Sequence, residues 1–138
     1  LRLSKRFGTS IVRETLAQMY REGLLNDERF ARMFTESRKN SRPKSASTVR
    51  RELEMKGVSR DLSLSVTSDI DDLEAALYAA SKKSRALSNL PENKFHQKLI
   101  GHLRRRGFTY SISKNAANQA WTALWLIDPN PRENPSIS

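Results

Sequence analysis

Apolar residues along this chain recur at three- and four-residue steps almost from end to end. From Ser10 to Arg21, Ile11, Val12, Leu16, Met19 and Tyr20 define one face, predicting an amphipathic helix that Gly23 should stop. A second helix should begin at once, capped by Asn26 or Asp27, with Phe30, Met33 and Phe34 inward and Arg29, Arg32 and Glu36 outward. "SRPKS" reads as a polar break around Pro43. "ASTVRRELEMKG" is then a short helix ended by Gly57, and Ser59 or Asp61 starts another that carries Leu62 and Val66. After the "SDIDD" cluster, "DDLEAALYAASKKSRAL", "PENKFHQKLIGHLRRRG" and "SISKNAANQAWTALW" predict three further helices. No strand-like alternation competes, and the Pro- and Asn-rich "DPNPRENPSIS" is expected to be a flexible tail, with no structure assigned past Asp128.

A period ties these helices together. Leu3, Leu53 and Leu103 are 50 residues apart, as are Val12, Leu62 and Ile112; the match continues through Leu16, Val66 and Ala116. Arg6, Lys56 and Arg106 share an equivalent place, beside the glycine that ends the helix in the two later copies; the first copy reads Phe7-Gly8 where the others read Gly57-Val58 and Gly107-Phe108. A fixed period of this length predicts an all-α chain of tandem three-helix repeats in an elongated, curved array, each unit completing its core against a neighbour. The expected division is the end of a first unit at 1–24, a second at 25–70, a third at 71–127 and a tail at 128–138. Because the chain opens on Leu1 inside a basic stretch, part of the N-terminal unit is expected to be missing.

Composition narrows the chemistry. Five glycines and five prolines leave long stretches rich in helix formers. With 25 Lys and Arg against 15 Asp and Glu, the net charge of +10 favours an acidic partner such as nucleic acid or an anionic protein surface. The absence of cysteine excludes disulfides, thiolate zinc sites and cysteine nucleophiles. No apolar run approaches the roughly 20 residues of a membrane span, "AWTALWLI" being the longest, and no signal-peptide pattern opens the chain, so a soluble, cytoplasmic protein is expected.

Candidate chemistry is sparse. His96 and His102 are six apart and do not share a helical face as a metal pair would. Asp69, Asp71 and Asp72 lack the remaining ligands of a calcium loop and read as helix caps. No phosphate-cradling glycine loop, nucleophile elbow or His-Glu-x-x-His pair occurs, so catalytic residues, metal ligands and cofactors are all expected to be absent. Trp121 and Trp125, four apart, read as core packing, and Gly101 as a place of close helix approach.

The run Arg104-Arg105-Arg106 remains. Cations in a last helical turn offset the dipole by about 0.3 to 1 kcal/mol each, but three consecutive side chains fan across about 200° of helix surface, so at least one points away from the dipole and core. Together with Arg50, Arg51, Lys56, Lys82, Lys83 and Arg85 they are the candidate basic surface for a partner.

"GLLNDERFARMFTESR" (23–38), "RRELEMKGVS" (50–59) and "KLIGHLRRRGFTYSI" (98–112) closely resemble, in the same order, successive signature stretches of the RecX regulatory proteins; the likeness covers about Ile11 to Trp125. That family is built of tandem three-helix repeats, in agreement with the period. The resemblance implies a non-enzymatic regulator of DNA repair and recombination in the SOS response. It would bind the RecA recombinase filament on single-stranded DNA, lie in its helical groove as a monomer, and restrain its ATPase and strand exchange. Weak direct contact with DNA is a further expectation. The departures are the missing start of the first repeat, the reversed Phe7-Gly8, and "SRPKS" where relatives often carry glycine. The competing reading is a helical DNA-binding module acting directly on nucleic acid, although no helix displays the Asn, Gln and Arg set used for base reading.

Overall fold

The computed structural model describes residues 2–127, with side chains described from 11 to 126; the expected tail lies outside these residues. The described chain is helical throughout: α1 Arg2–Ser41, α2 Ala46–Met55, α3 Arg60–Thr67, α4 Asp72–Ser84, α5 Glu92–Arg105 and α6 Tyr110–Ile127, with one 3-10 turn at Arg85–Leu87. Among the described residues there is no strand.

Two hydrophobic cores follow one another along the chain. Ala31, Val49, Leu53, Val58 and Val66 form the first, joining the C-terminal half of α1 to α2 and α3, with Phe34, Leu62 and Ile70 against it. The second gathers Phe95, Leu99 and Leu103 of α5, a run of alanines from α4 and α6, Phe108 and Trp121. The Trp121 ring lies tilted 5.0 Å from Phe95 and edge-on 6.0 Å from Trp125, the core packing that their spacing predicts. Alanine-rich faces on α4 and α6 let the two helix axes approach, and the aromatic rings fill what remains.

The 50-residue period holds atom by atom in the two later copies. Gly57 and Gly107 both take φ +92°, conformations that L side chains rarely adopt. The Val58 amide donates to the Leu53 carbonyl (3.0 Å) and the Phe108 amide to the Leu103 carbonyl (3.2 Å), while Gly57 and Gly107 donate to Glu54 and Arg104. Each pair of bonds closes a helix end by the same left-handed motif. The next helix then starts alike: the Ser59 and Thr109 hydroxyls accept the Leu62 and Ile112 amides.

The first copy behaves differently. Neither Gly23 nor the Asn26-Asp27 pair interrupts the chain, and α1 runs unbroken from Arg2 to Ser41. Gly23 has no positive φ, and its helical cost of about 1 kcal/mol is small beside strong helix formers on either side and an apolar stripe that stays in phase across it. That stripe runs from Val12 and Leu16 to Phe34 and meets the core only near its end, where Ala31 is buried and Phe34 packs against it. Phe30 and Met33, read as inward from the sequence, stay 43% and 69% exposed. Val12 and Leu16 are 54% and 60% exposed, whereas Val66 and Ala116, at the place of Leu16, are buried. No second element packs on the first half among the described residues, so the helix has no corner to turn. The side chains of Leu3, Arg6 and Phe7 lie outside the described ones.

Candidate anion-binding surface

The two units meet where α2 begins and α5 ends. Orphan amides at a helix start and orphan carbonyls at a helix end satisfy one another here: the Ser45 amide donates to the Arg106 carbonyl at 3.2 Å. The Ser45 hydroxyl, almost fully buried, accepts from the Thr48 amide and so caps α2. The Ala46 amide donates 2.8 Å to Asp72 Oδ1 in the first turn of α4, so a carboxylate of one unit caps a helix of the other. Asp71 caps its own helix through the Glu74 amide. Asp71 and Asp72 thus work in capping, as the sequence predicts. "SRPKS" is more than a polar break, since Pro43 and Ser45 are buried in this joint.

Close backbone approach falls at Gly107, not at Gly101. A Cβ on Gly107 would collide with Thr48 Oγ1 and come within 2.6 Å of Ser45 Oγ, whereas one on Gly101 would meet only Arg105 Nη1, at an ordinary 3.5 Å. Gly101 faces a groove instead of another helix.

Around this joint the last turns of α4 and α5 bring cations together. A groove of about 240 Å³ is lined by Lys82 and Lys83 of α4, His102 of α5 with Arg106 at its C-cap, Ser41 at the end of α1 and Pro43 of the connecting loop. A second, of about 520 Å³, shares Lys83 and runs along α5 past Lys94, Lys98, Gly101 and Arg105. Neither lining contains an acidic side chain. Among the described residues the ion pairs lie elsewhere, Arg32 with Glu28 and both Arg38 and Lys44 with Glu52. The crowding shows in the titration of its members. Burial, then the charges of Arg106, Lys83 and Arg105, lower the His102 pKa from 6.5 to about 4. Burial and the neighbouring Arg42 lower that of Arg106. Two helix C-termini draw cations to this place, and like charges then repel one another, which leaves a site that gains from a bound anion.

Lys82, Lys83, Arg105 and Arg106 therefore line adjoining grooves. Lys82 Nζ also sits 4.7 Å over the Tyr78 ring. Arg104 is exposed on the same last turn of α5 but lines neither groove. Arg85 lines a separate groove beside Ala120 and Leu124 of α6. Arg50, half-buried, and Arg51, exposed, lie on α2, and Lys56 ends that helix with Nζ 5.6 Å over Phe34. Sequence reasoning missed Arg42, Lys94, Lys98 and His102. For the two lysines a signal existed: Lys94, Lys98 and Arg105 follow at steps of four and seven, one stripe of a helix. His96 bonds the Glu92 carbonyl and Asn118, spanning α5 and α6 as a structural tie. Among the described residues no group of His, Asp and Glu could hold a metal ion, and no helix is long and apolar enough to cross a membrane.

Comparison with known proteins adds a family to this geometry. The model for the second three-helix domain of RecX matches residues 26–63, and that for the third three-helix domain matches 69–116. A protein of Corynebacterium efficiens named regulatory protein RecX is 33% identical over 122 residues, covering 83% of this chain and 58% of that protein. Its namesake from Listeria monocytogenes is 30% identical over 118 residues, 83% of this chain and 44% of the relative. Another from Chlorobium limicola is 29% identical over 112 residues, 81% of this chain and 70% of the relative. The chain spans about half the length of the first two. No solved structure matches it.

Proposed function

The chain belongs to the RecX family, and from that membership we propose that it is a non-enzymatic regulator which binds the RecA recombinase filament on single-stranded DNA and restrains its ATPase and strand exchange. The observation that carries this reading is the gathering of Lys82, Lys83, Arg105 and Arg106 at one joint with no acidic side chain in the lining. Such a surface suits a filament in which acidic protein and phosphates lie close together. In this reading the chain acts in the cytoplasm as a monomer, as an elongated, curved array. Residues 25–70 and 71–127 serve as its second and third units, and residues 1–24 contribute to a first. Arg50, Arg51, Lys56, Arg85 and Arg104 extend the contact surface beyond the joint.

The test replaces Arg104 and Arg105 by Glu. Both are exposed, so the helical melt should hardly change, whereas two reversed charges beside an acidic filament turn attraction into repulsion. Inhibition of the RecA ATPase on single-stranded DNA should weaken, and the difference from the parent should shrink as salt rises. Full inhibition by the double variant at low salt would overturn the role of this surface.

A further inference from the structure

Along α1 runs an apolar seam that no other element covers among the described residues. Val12, Leu16, Met19, Phe30 and Met33 fall at steps of three and four that Gly23 and Asn26 complete, the heptad spacing of a helix that pairs with another helix. All of these positions are exposed, because the core of the unit takes an adjoining side of α1, through Ala31, Phe34 and Thr35. From Val12 to Met33 the seam is about 32 Å long at 1.5 Å per residue, a continuous line rather than the scattered apolar residues of an ordinary surface.

We propose that this seam pairs two copies of the chain through α1, antiparallel, about a two-fold axis between Leu24 and Leu25. In this register Leu16 faces Met33 of the second copy and Met19 faces its Phe30, so large side chains meet large ones. Gly23 faces Asn26 of the second copy near the axis. No atom of its own chain lies within 4 Å of where a Cβ on Gly23 would stand, so the two helices can come close there and seat the Asn26 amide. A polar Asn in an apolar seam fixes register and the number of strands at some cost in stability.

Charge selects this arrangement over its rivals. Beside the seam Glu22 lies against Arg29 of the second copy, and the two-fold axis makes the same contact twice; Tyr20 lies against Asp27. Within a single chain Arg29 forms no ion pair among the described residues, so its charge is available to a partner. Parallel pairing would set Glu22 against Asp27. An antiparallel pair shifted by one heptad would set Glu22 against its own counterpart and Leu16 against Asn26. Both rivals oppose like charges, and only the first register matches opposite ones. Because one patch serves both copies, the interface closes at two. The inference does not rest on the regulatory reading, in which the single chain is the active form; pairing sets how much of that form is present.

Sedimentation equilibrium of the full chain over about 1 to 200 µM should show the mass rising from 15.8 kDa toward twice that value. Leu16→Glu combined with Met19→Glu puts four carboxylates into the seam of the pair and should weaken association about 100-fold or more. Both positions are exposed in the single chain, so its helical melt should be kept. Glu22→Arg and Arg29→Glu should each weaken association about five- to tenfold, since each creates two like-charge contacts, and the two together should bring it back to within about threefold of the parent. A parent that stays monomeric across the whole range would overturn the proposal and leave the seam to a partner other than a second copy. Association that survives the paired substitution at Leu16 and Met19 would put the contact elsewhere and also overturn it. Two charge reversals that add instead of cancelling would overturn the antiparallel register.

Discussion

Replacing Gly57 and Gly107 separately by Ala tests the joint between the units, because the two glycines share a conformation and differ only in what surrounds them. Each has φ +92°, and a Cβ there costs about 1 to 2 kcal/mol in either place. At Gly57 nothing lies within 4 Å of the added atom, so the strain should be the whole effect. At Gly107 the added methyl collides with Thr48 and reaches within 2.6 Å of the Ser45 hydroxyl. Moving Ser45 aside breaks the cap on the Thr48 amide, worth about 1 kcal/mol. It also strains the bond from the Ser45 amide to the Arg106 carbonyl, worth about another 1 kcal/mol. Gly107→Ala should therefore lose about 2 kcal/mol more than Gly57→Ala. Urea unfolding followed by circular dichroism measures both, and the cycle with Thr48→Ala isolates the cause: the Gly107 pair should couple by more than about 0.5 kcal/mol, while the Gly57 pair should add. Equal losses at the two glycines would refute the close approach at the joint.

Other outcomes follow from the cores and the charges. Leu103→Ala, at a fully buried site, should destabilise by about 2 to 5 kcal/mol in the same unfolding assay, and a loss below roughly 0.5 kcal/mol would mean that the site is not core. Ser63 and Ser113, equivalent by the period, are fully buried with hydroxyls that have no hydrogen-bond partner, so Ser113→Ala should be neutral or raise stability by up to about 1 kcal/mol. The unfolded chain binds a proton at His102 near pH 6.5 and the folded chain only near pH 4, so the unfolded state holds more protons in between. Stability should fall as pH drops through this window, by on the order of 1 kcal/mol once solvent screening of a largely accessible ring is allowed for. His102→Gln should flatten that part of the curve, and an unchanged slope would assign the acid sensitivity to other groups.

Helix type, the glycine stops at 57 and 107 and the packing of Trp121 were all legible in the sequence, because each depends on near neighbours along the chain. The same reasoning misplaced a stop at Gly23, since a glycine ends a helix only where the chain must turn back onto a partner, and the partner is tertiary information. It put close approach at Gly101 because the helical position of that glycine was visible; the hydroxyls of Ser45 and Thr48, about 60 residues from Gly107, were not. Among the cations, the run at Arg104 to Arg106 drew notice as a run. Lys94 and Lys98 went unnoticed because one helical stripe looks scattered in linear order. Arg42 comes beside Arg106, and Pro43 beside His102, only when the loop folds onto α5.

The joint also limits how this architecture can be extended by copying. Residues 50 places beyond Ser45 and Thr48 are Phe95 and Lys98, and Phe95 is buried at the centre of its own core. A duplicate of the third unit appended to the chain would bring its counterpart of Gly107 against a phenylalanine that cannot leave and a lysine too long to seat. It would find no serine to cap. The units are alike in their helix ends but not interchangeable at their seams, so order along the array is written into the small residues of α2. A designer who wished to lengthen it would have to graft Ser45 and Thr48 together with the Asp72 that caps from across the seam.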